Sequence, residues 1–252
     1  MERIEFARHA HVGAVEGLEG VSFEVGRGEF VVITGRVGAG KTTLLRVLLG
    51  LLPRDAGTIG WNGMLVEDPA TFFAPPRTAY TSQVPRLFSD SLRENIVMGR
   101  DIGDDRVYGA LDLAVMSSDV GALHHGLETE VGTRGVRLSG GQVQRAAAAR
   151  MFLREAELLV FDDLSSALDV ETERQLWEGL FETRDVTCLV VSHRRAALER
   201  ADRVIVMESG RVAAQGSLAE VMEASPELRV MVTGSSLPEE RAPSSTREEV
   251  RA

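Results

Sequence analysis

The feature that most constrains this sequence is a glycine-rich loop directly after the apolar run at residues 30–33. A polyphosphate has to be wrapped by backbone N–H groups, and a Cβ at Gly38 or Gly40 would keep the backbone away from it. Lys41 supplies a compact positive charge for the terminal phosphates, and the Thr42 hydroxyl suits a Mg²⁺ ion. The loop fits the phosphate-binding pattern G-x-x-x-x-G-K-[ST] without a gap, through Gly35, Arg36, Val37, Gly38, Ala39, Gly40, Lys41 and Thr42.

The residues around this loop agree with a nucleoside triphosphate site. Residues 43–49 predict a helix, and its positive N-terminal end at Thr43 would face the phosphates. Lys41 is also the only lysine in the chain, since every other basic side chain is arginine or histidine. Strand, glycine loop and helix form the context that the motif requires.

Composition limits the remaining possibilities. The chain has 252 residues, of which 44% are hydrophobic, enough for one sizeable domain with a full core. A net charge of −10 argues against a partner with a phosphate backbone, so no nucleic acid is expected. The single cysteine, Cys188, lies in an apolar run and predicts a small core residue in a reducing cytosol. No run of about 18 apolar residues exists, so a membrane role would come through a partner.

The order of the predicted elements indicates an α/β fold. Strands predicted at 30–33, 78–83, 158–162, 186–191 and 203–207 alternate with helical stretches, which favours a parallel sheet covered on both faces. Alternating residues at 4–6 and 21–25 predict half-buried strands, and residues 57–63 predict a short strand that ends in an Asn-Gly turn at 62–63. The helical block at about 85–154 reads as an insertion. We expect one domain over 1–232 and a disordered tail over 233–252.

Two carboxylates, Asp162 and Asp163, end the predicted strand at 158–162. A buried strand that delivers Asp162 at its C-terminal edge places it near the glycine loop, where it can hold Mg²⁺ together with Thr42. Asp163 can then accept a proton from an attacking water or orient it. Without the phosphate loop upstream, such a pair is more often a helix cap or a turn.

A second anion-binding segment is predicted at residues 138–142, which open an Ala-rich helix. Ser139 can cap this helix, and the glycines Gly140 and Gly141 let backbone N–H groups approach an anion at its N-terminus. On local grounds, an ordinary Ser-Gly-Gly helix entry is about as probable as a binding site.

Taken together, these motifs resemble the ATP-binding cassette of ABC transporters over about residues 4–225. The resemblance implies an α/β P-loop NTPase (RecA-like) core, an N-terminal antiparallel β subdomain and an inserted α-helical signature subdomain. The motifs that carry it, in order, are residues 35–42, Gln83, the signature 138–142, Asp162 and Asp163, residues 166–169, and Ser192 with His193.

In that family two cassettes dimerise head to tail. The resemblance implies that ATP and Mg²⁺ are held between one chain's phosphate loop and the other chain's signature, including Ser139, Gly140, Gly141 and Gln142. By the same resemblance, Gln83 senses the metal ion and the attacking water. Asp169 reaches across the dimer interface, and His193 contacts the γ-phosphate.

Two further stretches, residues 80–96 and 129–135, look like those of exporter cassettes. In exporters the latter contacts the transmembrane domains, so a cytoplasmic position at the inner face of the plasma membrane is expected.

Two positions depart from the family pattern. Asp163 stands where Glu is usual, which shortens the reach by about 1.3–1.5 Å and predicts slow hydrolysis. His11 is the nearest candidate for the aromatic residue that stacks on adenine.

Three functions remain open from the sequence. The leading hypothesis is an ATPase subunit that drives a transporter whose transmembrane domains are separate. A second is a soluble cassette ATPase of translation or DNA repair, although one cassette with a modest insert disfavours it. The third is a degenerate cassette that binds ATP but scarcely hydrolyses it, as one member of a heterodimer.

Overall fold

The computed structural model describes residues 3–7, 17–132, 135–183 and 186–233. Its strands are β1 (Arg3–Ala7), β2 (Ser22–Gly26), β3 (Phe30–Thr34), β4 (Thr58–Trp61), β5 (Met64–Leu65), β6 (Thr78–Thr81), β7 (Asp90–Ser91), β8 (Glu130–Val131), β9 (Leu158–Asp162), β10 (Thr187–Val191), β11 (Arg203–Glu208) and β12 (Arg211–Gly216). Its α-helices are α1 (Lys41–Leu48), α2 (Pro69–Phe72), α3 (Leu92–Val97), α4 (Asp104–Leu113), α5 (Ser117–Ala122), α6 (Gly140–Phe152), α7 (Val170–Thr183), α8 (Arg195–Arg200), α9 (Leu218–Ala224) and α10 (Pro226–Thr233). Two short 3-10 helices lie at Gly126–Glu128 and Leu164–Ala167.

The central sheet has the strand order β12-β11-β3-β10-β9-β6. From β11 to β6 neighbouring strands are parallel, as the near-continuous apolar runs predict. Every residue of β3, β9 and β10 is buried. The last strand, β12, was not predicted from the sequence, and it pairs with β11 antiparallel through the tight turn at Ser209 and Gly210.

Both faces of this sheet are covered, which confirms the prediction of a sheet that is packed on both sides. Successive residues of β3 face opposite sides, so that Phe30 and Val32 join one apolar cluster while Val31 and Ile33 join the other. The first cluster includes α6, and the second includes α1 and the small sheet. Cys188 is fully buried in the first cluster and is a core residue, as predicted.

The N-terminal β subdomain is a four-stranded sheet with the order β2-β1-β4-β5. Its neighbouring strands are all antiparallel, as the resemblance to ATP-binding cassettes implies. Asn62 and Gly63 form the expected turn between β4 and β5, with φ values of 52° and 77°. Positive φ at both central positions is the requirement that makes Asn-Gly the favoured pair for this turn.

The insertion between β6 and β9 carries α3, α4, α5 and α6, so its helical character is as predicted. It also contains a small β ribbon that the sequence did not reveal, in which Asp90 pairs with Val131 and Ser91 with Glu130. The boundaries 85–154 for this subdomain and 1–232 for the whole domain stay predictions. The tail from residue 234 onward lies outside the described residues.

The glycine at the end of β3 is required by close packing, and we predict that Gly35→Ala strongly destabilises the fold. Its φ is +134°, and a Cβ would lie 2.1 Å from the carbonyl oxygen of Met207 on β11. Left-handed strain and the clash together should cost about 2–5 kcal/mol in the free energy of unfolding. Urea unfolding monitored by circular dichroism measures this loss.

Gly63→Ala is the matched control for that prediction. Gly63 also has a positive φ, +77°, but a Cβ there would meet nothing within 4 Å. This variant should therefore lose only the backbone term, about 1–2 kcal/mol. Equal losses in the two variants would show that the contact with Met207 does not constrain position 35.

Candidate functional site

The glycine-rich loop lies between β3 and α1 and leaves the first turn of the helix open. Gly38 and Gly40 have φ values of +85° and +95°, which side-chain-bearing residues rarely adopt. Gly40 is the N-cap of α1, and no side chain caps the helix there. The uncapped N–H groups and the helix dipole together favour an anion at this position.

The Lys41 ammonium group is folded back over the loop. Its Nζ donates hydrogen bonds to the carbonyl oxygens of Gly35, at 2.7 Å, and Arg36, at 2.8 Å. Partial burial lowers the pKa of Lys41 from its usual value, and the negative charges of Asp163 and Asp162 oppose that shift. Lys41 therefore holds the loop closed around the space that a phosphate would enter.

Asp162 lies at the C-terminal end of β9, as predicted, and is only 1% exposed. Its Oδ1 accepts a hydrogen bond of 2.9 Å from the Thr42 hydroxyl, so the structure brings these two predicted residues together. Burial raises the pKa of Asp162, and the hydrogen bond from Thr42 and the charge of Arg46 offset part of this shift.

Tyr80 is a member of this cluster that the sequence reasoning missed. Its hydroxyl donates to Oδ2 of Asp162 at 3.4 Å, so both oxygens of that carboxylate have a partner. Burial, with the charge of Asp162, raises the pKa of Tyr80 above its usual value. The available signal was the position of Tyr80 in the strand that leads to Gln83, and β6 pairs directly with β9.

Asp163 is held in an unusual conformation next to the loop. Its φ is +54°, in the left-handed region that Asp tolerates better than most residues. The backbone N–H of Asp163 donates to the carbonyl of Val191 at 2.9 Å. Oδ2 accepts from the Gln83 amide at 3.3 Å, and Oδ1 lies 3.8 Å from Nδ1 of His193. Gln83, Asp163 and His193 thus meet at one point.

These side chains line a cleft of about 490 Å³. The His193 side chain is 57% exposed, whereas the Asp163 side chain is only 12% exposed. The cleft is lined by Gly35, Arg36, Val37, Gly38, Ala39, Gly40, Lys41, Thr42, Thr43, Gln83, Asp162, Asp163, Val191 and His193.

The oxygen atoms at the base of the cleft fit a Mg²⁺ ion that binds with a nucleotide. Oδ1 of Asp163 is buried and has no hydrogen-bond partner. Thr42 and Asp162, which are hydrogen-bonded to each other at 2.9 Å, provide further oxygen atoms in the same cleft. Mg²⁺ that binds with phosphates requires only one or two carboxylates, because phosphate and water oxygens complete its shell.

The signature segment lies apart from the residues that line this cleft. Ser139 caps α6 as predicted, because its Oγ accepts from the Gln142 N–H at 3.2 Å and the Gln142 side chain accepts from the Ser139 N–H at 2.8 Å. Asp119 on α5, which the sequence did not single out, accepts from the Gln142 amide at 2.9 Å and pairs with Arg145 at 2.9 Å. The contact between this segment and ATP stays a prediction.

Two predicted residues remain. Asp169 makes contacts only within its own helix turn among those described, and His11 is not among the described residues. The Asp169 carboxylate accepts from the N–H and the hydroxyl of Thr172, at 2.9 and 2.7 Å, in the first turn of α7. Its reach across a dimer interface stays a prediction. His11, the predicted adenine-stacking residue, lies outside the described residues.

The structure places parts of the two exporter-like stretches side by side. The β7–β8 ribbon connects them, and Asn95 is 1% exposed beneath the loop that leads to β7. The Asn95 amide donates to the carbonyl oxygens of Phe88 and Ser91, both at 3.0 Å. Val84 and Phe88 on this loop are 75% and 60% exposed.

Comparison with known proteins identifies the family. The model of the ABC transporter family matches residues 18–166, more than half of the 252-residue chain. The chain belongs to the ABC transporter family. This membership confirms the predicted P-loop NTPase fold and implies that the chain binds ATP.

Similar proteins in the family are flippases by name. The ATP-dependent lipid A-core flippase of Burkholderia orbicola (strain AU 1054) is 39% identical over 208 residues, covering 81% of this chain and 35% of the relative. That of Vibrio vulnificus (strain YJ016) is 36% identical over 209 residues, covering 82% of this chain and 36% of the relative. The chain therefore spans about a third of the length of these curated relatives.

A solved structure agrees with the family assignment. A bacterial Atm1-family ABC exporter with ATP bound superposes with a TM-score of 0.84 at 30% sequence identity. The match covers 91% of this chain and 41% of that chain. Within the described part of this chain, no helix is both long and apolar enough to cross a membrane.

Proposed function

We propose that this chain is the ATP-binding and ATP-hydrolysing cassette of an ABC exporter. The observation that carries the proposal is the convergence of Thr42, Asp162, Asp163, Gln83 and His193 in one cleft beside the phosphate loop. Transmembrane domains would supply the transport pathway. The proposed cassette extends over residues 1–232, with residues 85–154 as its signature subdomain.

The proposed roles follow the chemistry of each group. Lys41 and the backbone N–H groups of the loop bind the phosphates. Thr42, Asp162 and Gln83 hold Mg²⁺, which supplies positive charge against the phosphate oxygens when bound. Tyr80 keeps Asp162 oriented through its second oxygen.

Asp163 and His193 are proposed to handle the attacking water. A carboxylate at position 163 accepts a proton from that water or orients it, and His193 donates a hydrogen bond to the γ-phosphate. Because Asp163 is one methylene shorter than Glu, its carboxylate stands about 1.3–1.5 Å further from the nucleotide. Displacements of about 1 Å can reduce rates on the order of 10²-fold, so we propose slow hydrolysis.

The partners are proposed from the family. Two cassettes would pair head to tail, so that the signature of one chain closes the phosphate loop of the other. The transmembrane domains would contact the loop that carries Val84 and Phe88, because the exposed apolar side chains of these two residues suit such a contact. The cassette would then lie on the cytoplasmic face of the membrane. The net charge of −10 supports the absence of nucleic acid among its partners.

A second candidate function is a degenerate cassette within a heterodimer. The shortened carboxylate at Asp163 favours it, because the chain's own site would retain ATP while its intact signature completes the partner's site. The two candidates predict different turnover, and both predict firm binding of ATP at the phosphate loop.

We predict that Asp163→Asn makes the chain dimerise when Mg-ATP is added. The substitution removes the base while preserving the shape of the side chain, so bound ATP persists and closes the pair. Light scattering should show the 27.4 kDa chain doubling in mass at saturating Mg-ATP and returning to a monomer after the nucleotide is removed.

The matched control combines Asp163→Asn with Lys41→Ala, which should stay monomeric. A chain that binds ATP yet remains monomeric at every concentration tested would contradict a sandwich of two copies. In that case mixing with a second cassette that carries Glu would test the heterodimer. Absence of ATP binding would overturn the proposed function itself.

A further inference from the structure

A buried amide on α6 connects the signature segment to the loop that follows the two aspartates. Oε1 of Gln144 accepts a hydrogen bond of 3.0 Å from the backbone N–H of Ala167. Gln144 is only 4% exposed, although it lies just two residues after the end of the signature. The phosphate chemistry proposed above makes no use of this side chain.

The glycines of the signature pack against the same residue. A Cβ at Gly141 would lie 2.9 Å from the carbonyl oxygen of Ala167, and one at Gly140 would lie 3.5 Å from the Ala167 Cβ. Leu168, which is 5% exposed, is also within reach of position 141. The absence of a side chain at 141 therefore has an intrachain reason, because it lets α6 approach the loop closely, whereas a Cβ at 140 would make an ordinary contact.

Ala167 is connected to the nucleotide cleft along the chain. It ends the 3-10 helix Leu164–Ala167, which begins directly after Asp163. Leu164 is 1% exposed and packs in the same apolar cluster as Ala146 and Ala149 of α6. A shift of the Asp163 backbone would therefore be passed through one short 3-10 turn, anchored by the buried Leu164, to the start of α6.

We infer that Gln144 is a positioning residue that couples the chain's own nucleotide cleft to its signature segment. The inference rests on the proposed function, because in a head-to-tail pair the signature serves the partner's site. Occupation of one cleft would then change the position of the segment that completes the other. A partly buried hydrogen bond from a buried side chain to a packed neighbour is suited to this role, since it has a well-defined geometry and is costly to leave unmade.

The test is hydrogen exchange of the full chain, measured with and without Mg-ATP at concentrations where light scattering shows a monomer. ATP should slow exchange at residues 35–43 directly. Through Gln144 it should also change exchange at residues 138–145, by about fivefold or more, the lower end of typical couplings between sites. In Gln144→Met, which keeps the shape but loses the acceptor, the first response should persist and the second should fall below about twofold.

Two control variants separate a loss of coupling from a general loss of fold stability, and a third serves as a replacement for Gln144→Met. Gln144→Glu keeps an oxygen acceptor at the same reach and should restore the response at 138–145. Gln175→Met breaks an exposed glutamine hydrogen bond on α7 and should leave both responses unchanged. Where Gln144→Met does not fold, Gln144→Asn replaces it, because its amide is one methylene too short to reach Ala167.

The outcomes distinguish this inference from the proposed function. A wild-type chain without an ATP response at 35–43 would overturn the proposed function. A response at 35–43 combined with an equal response at 138–145 in wild type and Gln144→Met would overturn the coupling alone. So would a wild-type chain in which residues 138–145 do not respond to ATP at all.

Discussion

Lys41→Ala is expected to weaken ATP binding on the order of 10²- to 10³-fold, the effect of losing one partner of a desolvated charge pair. Lys41 is the only lysine in the sequence, so no second lysine can substitute for it. Its ammonium group already lies over the loop, bonded to the carbonyl oxygens of Gly35 and Arg36. A phosphate that enters the cleft would meet this positive charge beside the open N-terminus of α1.

Titration calorimetry with Mg-ATP measures this loss of affinity. Two further variants separate the effect of the Lys41 ammonium group from that of positive charge in general. Lys41→Arg keeps the positive charge but replaces the compact ammonium with a planar fork, so it should recover only part of the affinity. Arg174→Ala removes a positive charge from an exposed ion pair on α7 and should leave the affinity unchanged. Thermal unfolding should be measured for every Lys41 variant to show that it is folded, because Lys41 also bonds the loop carbonyls. Unchanged affinity in a folded Lys41→Ala chain would contradict the phosphate-loop assignment.

Asp163→Glu is expected to raise the turnover of Mg-ATP tenfold or more, which corresponds to about 1.4 kcal/mol in activation free energy. The added methylene advances the carboxylate by about 1.3–1.5 Å toward the nucleotide. We expect the cleft to accommodate the longer side chain, because Asp163 lines a space of about 490 Å³. The carboxylate would also stay near Gln83 and His193, which now lie 3.3 and 3.8 Å from its two oxygens.

Steady-state phosphate release by the purified chain tests this expectation. Asp163→Asn should be slower than wild type, since it has no base. Asp104→Glu lengthens an exposed carboxylate on α4, outside the cleft, and should change nothing. Turnover that stays flat or falls in Asp163→Glu would show a site adapted to Asp, for example through a bridging water. Brisk hydrolysis by the wild-type chain alone would discard the degenerate cassette.

The positive φ of Asp163 adds a structural side effect to this experiment. Asp is enriched in the left-handed region because its short side chain is tolerated there, whereas a longer side chain gains no such advantage. We therefore expect Asp163→Glu to unfold slightly more easily while it turns over faster. Opposite changes in stability and activity are common where a strained residue serves a site.

The sequence by itself determined the features that depend on local residue patterns. The loop at 35–42, the strand that ends at Asp162, the Ser139 cap and the Asn62-Gly63 turn each require particular residue types at fixed spacing. The alternation of apolar runs with helical stretches likewise predicted the parallel sheet. These features are readable because their physical causes act over a few neighbouring residues.

Tertiary structure alone decided which distant residues meet. Tyr80 reaches Asp162 across 82 positions because β6 and β9 are neighbours, and Gln144 reaches Ala167 because Gly141 lets α6 approach. The antiparallel β12 and the β7–β8 ribbon also depend on pairing between segments. Such contacts leave no periodic signal along the chain, since hydrogen bonding and close packing between remote segments are settled only when the sheet and its helices assemble.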